Sequence, residues 1–191
     1  SKPADSKKGQ AADSKPAADT KKEDPAAEKK NSLKPAPVNF KTYESEFIIE
    51  TNKVRQNPQS YVPLLENLLK YFKGNVLSLP GKIPLETNEG PSAIKDAINF
   101  LKKCKPLEPL TEDKNLGKSA RDHLNDIGPK GLDDHTGSNG STPDQRISKY
   151  VKWDKTNAEN IDFGSTNAQD SVISFLVDDG VSTREHRKNL I

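Results

Sequence analysis

Cysteine, histidine, aromatic residues and long apolar runs are all scarce in this chain. Cys104 is the single cysteine among 191 residues, so no disulfide forms within the chain, and thiol usage leaves the compartment open. No apolar run approaches the roughly 18–20 residues of a membrane span, and no secretory apolar region is present. The chain begins at Ser1, as expected of a processed or shortened form. A formal charge of +2, without a basic stripe interleaved with aromatics, excludes the usual nucleic-acid binder.

Hydrophobic residues make up 31% of the sequence, charged residues 30%, and mean hydropathy is −0.88. That is too polar for one uniform globule, and the polarity is uneven. The first 37 residues have no aromatic residue and one large aliphatic, Leu33, with near-repeats Ser1–Asp5 and Ser14–Asp19. Such a segment buries too little apolar surface to offset chain entropy, so residues 1–37 are expected to be a disordered tail. Residues 38–191 are expected to form one domain.

Within that domain the apolar spacing predicts a first helix through Phe47, Ile48, Thr51 and Val54, stopped at Asn57-Pro58. A second helix runs from about Gln59 to Phe72, ended by Gly74, and an extended pair flanks Pro80-Gly81. A third helix spans Pro91 to Lys103, with Ile94, Ala97, Ile98 and Leu101 inward. Cys104 reads as a structural thiol at its end, and 105–110 as a linker. The fourth helix starts at Thr111, with Leu116, Ala120, Leu124 and Ile127 as its buried stripe and His123 beside it at the helix surface or core edge.

A loop with four glycines, Gly128 to Gly140, carries Asp133-Asp134-His135 but lacks the spacing and final Glu of a calcium loop. Ser141 to Asp144 caps a short helix, and Asn157 to Gly164 reads as a strand or turn. Asn167 caps the last long helix, Ala168 to about Asp179. Past it lie Asp178-Asp179-Gly180 and His186, flanked by Arg184 and Arg187. This last stretch reads either as a charged helix end meeting free carbonyls or as a site built on a titratable, metal-ligating side chain.

Three segments in order carry a resemblance. They are Asp134 to Pro143 with Arg146-Ile147, then Ala158-Glu159-Asn160-Ile161 with Gly164, then Asp178-Asp179-Gly180-Val181 with Arg184 to Leu190. Together they resemble the CAP superfamily of cysteine-rich secretory, antigen 5 and pathogenesis-related proteins, and most of all its disulfide-poor microbial and protist members. The resemblance covers about residues 44 to 191. It implies an α+β fold, an α–β–α sandwich around a central antiparallel sheet, and a cleft formed by two histidines and two acids. These fall on His135, Glu159, Asp179 (with Asp178 its neighbour) and His186.

As implied, His135 and His186 hold zinc or another divalent cation, a role neutral imidazoles suit when carboxylates orient them. The same pairs equally suit a polar network that pins loop to helix. Ala158 and Glu185 stand where the family usually has glycine. The implied sheet needs strands beyond Ile191, so an incomplete sheet with an open edge inviting a protein partner is expected.

Three functions follow from this reading. The first is a binding module, more plausibly not an enzyme, for sterol, other lipid, glycan or protein ligands. It is expected to be extracellular or at the cell surface. The second is a metal-dependent hydrolase with Glu159 as base and Asp179 as the second acid. The third is a scaffold within a larger, even intracellular, assembly.

Overall fold

The structure is a computed structural model that describes the backbone of residues 40–191 and the side chains from Thr42 onward. The tail expected over residues 1–37 lies outside the described residues.

Helix α1, Phe40–Gln56, ends where the proline at 58 forces its predecessor out of the helical region: Asn57 sits at φ −142°, ψ 77°. A 3₁₀ turn, Pro58–Tyr61, leads into α2, Val62–Leu68, and a second turn, Leu69–Tyr71, leads out. Strands β1 (Phe72–Lys73), β2 (Val76–Leu77) and β3 (Leu85–Glu86) form a three-stranded antiparallel sheet in that order. β2 and β3 flank Pro80-Gly81 as expected. Two-residue strands and the prolines at 80 and 84 keep this sheet small.

Helix α3, Pro91–Lys103, buries Ile94, Ala97, Ile98 and Leu101 and starts on a proline, the favoured first position. Helix α4, Lys114–Ile127, is capped by Asp113, whose carboxylate accepts from the Asn115 and Leu116 N–H groups. It turns a different stripe inward than its hydropathy suggests. Ser119, His123 and Ile127 are buried, whereas Leu116 and Leu124 are 43% and 54% exposed and Ala120 faces solvent.

Helix α5, Pro143–Ser148, opens with a reciprocal capping box between Thr142 and Gln145. Helix α6, Ala168–Val177, is capped by Asn167 and stops at Asp178, which adopts a left-handed conformation, φ 53°. Helix α7 is Glu185–Leu190. The fold is therefore α+β and helix-rich.

One hydrophobic core is shared by α1, α2, α3, α6 and α7, with Val54, Leu65, Leu101, Val172 and Leu176 fully buried. Burying each such side chain stabilises the fold by about 1.5–3 kcal/mol. Phe47 of α1 meets Phe175 of α6 edge-on at 6.1 Å. Among the described residues no helix is long and apolar enough to cross a membrane.

The stretch expected as a strand or turn, Asn157 to Gly164, is neither. It is irregular chain with a bend at Gly164, and the backbone of residues 152–166 makes no hydrogen bond to another described residue. A strand is completed only by a partner's backbone, and among the described residues none hydrogen-bonds to it.

Candidate functional site

Glu159 stands on that irregular segment and gathers three elements. Its Oε1 lies 2.9 Å from His135 Nδ1, in the glycine-rich loop. Both of its oxygens accept from Arg146 Nη2 of α5, at 2.8 and 2.9 Å. The Arg146 side chain is buried and its terminal nitrogens also hold the loop. Nη1 donates to the Ser141 carbonyl at 2.8 Å, and Nη2 to the His135 carbonyl at 2.9 Å. A charge-assisted pair with so little solvent around it is strong and directional.

The same loop is pinned to the end of α4. Asp126 accepts from the Ser138 N–H at 2.7 Å, from the Ser138 hydroxyl and from Lys130. Lys130, then Ser138, hold its carboxyl well below the usual carboxylate range. Asp134 accepts from the Thr136 N–H at 2.7 Å, which lowers its carboxyl too. Gly137 is buried because a Cβ there would sit 2.5 Å from the Ser141 hydroxyl oxygen.

His186 forms a second pair with a carboxylate. Its Nδ1 lies 2.7 Å from Asp178 Oδ1, while the other oxygen of Asp178 accepts from the Arg187 N–H. The His186 ring lies nearly parallel to that of Phe175, centroids 5.9 Å apart. Two non-glycine residues with positive φ, Asp178 at 53° and Arg184 at 54°, bracket the loop before it. Such conformations cost of order 1 kcal/mol and are kept where surrounding contacts over-determine them. Here Arg184 clamps Glu89 through both guanidinium nitrogens. Arg187, 4% exposed, donates to the Leu176 carbonyl and Asp96 and lies over the Phe100 ring.

Adjacent residues join the two pairs. Glu159 binds the His135 ring, and Asn160 donates to the His186 carbonyl at 3.0 Å. The acid on His186 is Asp178. Asp179 turns the other way and accepts from the Asn88 and Glu89 N–H groups at 2.6 and 2.8 Å, closing the start of α3. His123 lies inside the cluster rather than at its edge, 4% exposed, its Nε2 2.9 Å from the Asp134 carbonyl and 3.8 Å from Glu159 Oε1. Among the described residues, two of the three buried side-chain atoms without a partner, His123 Nδ1 and Arg146 Nε, belong to this cluster. Buried polar atoms left unpaired concentrate where something besides packing is being served.

Residues 50–191 match the family model for the cysteine-rich secretory protein family, CAP. The chain belongs to the CAP family. No curated protein and no solved structure matches it.

The matched residues run from the last turns of α1 through α7. A carboxylate only accepts, so in the neutral imidazole of each pair Nδ1 carries the hydrogen and Nε2 the lone pair. Neither Nε2 has a partner among the described residues, and the two side chains are 46% and 28% exposed. Among the described residues no group of three or more His, Cys, Asp or Glu side chains is placed to hold a metal ion. Two grooves, of about 440 and 300 Å³, lie elsewhere. Glu50, Lys53 and Tyr61 line one, and Asp96, Arg184 and Lys188 line the other.

Proposed function

We propose that this CAP domain is a binding module in which His135 and His186, each oriented by its carboxylate, offer Nε2 to a divalent cation such as zinc. The observation that carries the reading is the pairing of both Nδ1 atoms, at 2.9 Å with Glu159 and 2.7 Å with Asp178. A carboxylate on the far nitrogen fixes the tautomer and raises the basicity of the ligating one. With two protein donors the site is open, and a ligand's oxygen atoms complete the coordination. A secreted or surface location accords with such a module. Glu159 is held by Arg146 and His135 at once, which suits orientation better than proton abstraction and places a binding role ahead of hydrolysis. Calorimetric titration with zinc at pH 7.5 tests the reading. One ion per chain is expected, with affinity falling at least tenfold in His135→Ala and in His186→Ala. Unchanged affinity in the double variant would remove the site.

A second reading, contact with another chain, rests on the unpaired backbone of residues 152–166. A strand from a partner would offer N–H and C=O groups to this backbone. A second copy suits it. Sedimentation equilibrium is expected to show a dimer that Ala158→Pro, lacking an N–H, weakens. A monomer at all concentrations argues against it.

A further inference from the structure

His123 has no place in the two histidine–carboxylate pairs, yet it is the most deeply buried histidine. Its Nε2 lies 2.9 Å from the Asp134 carbonyl. A carbonyl only accepts, so Nε2 carries the hydrogen and Nδ1 the lone pair. That Nδ1 is buried and unpartnered. A leucine would occupy such a place without stranding a polar atom, so what the imidazole adds is the directed bond to Asp134. Asp134 is an exposed residue, and water would satisfy its carbonyl as well. The consequence of the bond is therefore geometric.

It fixes the peptide plane between Asp134 and His135. Arg146 fixes the next carbonyl, that of His135, at 2.9 Å, and Glu159 takes the ring at 2.9 Å. The loop around them contains Gly128, Gly131, Gly137 and Gly140 and has little stiffness of its own. We infer that His123 is a positioning residue for His135: through the Asp134 carbonyl it aims the His135 ring so that Nδ1 meets Glu159 and Nε2 faces outward. This rests on the reading of His135 as a metal ligand. The geometric part of it can be measured without metal.

Nitrogen-15 NMR of the imidazoles in the metal-free protein at pH 7.5 reads each tautomer. The expected result is Nε2–H for His123 and Nδ1–H for His135. In His123→Leu the His135 signals should move to a mixture of tautomers, and zinc affinity should fall about 10–100-fold. His123→Gln places an amide N–H near the lost Nε2–H and should restore both. A folded His123→Leu protein that keeps the pure His135 tautomer would overturn the inference, as would His123→Gln behaving like the leucine variant. If His123→Leu does not fold, the wild-type spectrum still decides, because an Nδ1–H tautomer at His123 overturns it. Failure of the wild type to bind zinc would count against the metal reading alone.

Discussion

Replacing Arg146 with Met removes the buried centre of the His135 loop. Arg146 is 2% exposed and makes four hydrogen bonds, two to Glu159 and one each to the Ser141 and His135 carbonyls. The Glu159 side chain, 14% exposed, then keeps its charge without its cation. Breaking one half of a buried pair costs about 3–5 kcal/mol. At roughly 2–4 °C per kcal/mol for a domain of this size, the melting temperature should fall by about 6–20 °C. The double variant Arg146→Met, Glu159→Leu leaves no charge stranded. It loses mainly the two carbonyl bonds, each worth about 1 kcal/mol. It should therefore be more stable than the single variant, with a coupling of about 1–3 kcal/mol in a double-mutant cycle. Urea unfolding followed by circular dichroism measures all four proteins. A single variant within about 1 kcal/mol of wild type, or a double variant no better than the single, would refute the reasoning.

Glu89 supplies a pH test. The Arg184 guanidinium and the Gly180 N–H hold its carboxyl down at about 2. A depressed folded-state value gives stability that is present above the unfolded value, about 4.3, and lost as pH falls through about 2. Thermal melts between pH 5 and 2 should show this loss in the wild type and a shallower slope in Glu89→Gln; equal slopes would exclude the Arg184 clamp as its cause. The inward stripe of α4 gives a contrast with α3. Leu124→Ala, at a side chain 54% exposed, should cost less than about 1 kcal/mol, whereas Leu101→Ala, at 0%, should cost about 2–5 kcal/mol by the same unfolding assay.

What the sequence made legible was local. Pro58 stops α1, Pro91 opens α3, Thr142 and Gln145 cap α5, and Asn167 caps α6, because each acts through its own backbone or its near neighbours. The three motif segments carried the family and the histidine–acid pair at His135 and Glu159. Where distant partners decide, the reading departed. Hydropathy ranks Leu116 and Leu124 above Ser119 and His123, yet α4 rolls the polar pair inward, where His123 meets the Asp134 carbonyl. Asp178 and Asp179 are adjacent acids that no spacing separates. The left-handed backbone at Asp178 sends its carboxylate to His186 and leaves Asp179 for the start of α3. Asn157 to Gly164 reads as a strand or turn, but a strand exists only through its partner.

The central claim is that His135 and His186 together hold one divalent ion through Nε2. X-ray absorption at the zinc edge on the loaded protein tests it most directly. The account predicts two imidazole nitrogens at about 2.0–2.1 Å, the remainder of the shell being oxygen. It also predicts one imidazole in His135→Ala or His186→Ala. A shell with no imidazole, or the same two-imidazole shell in the double variant, would contradict it.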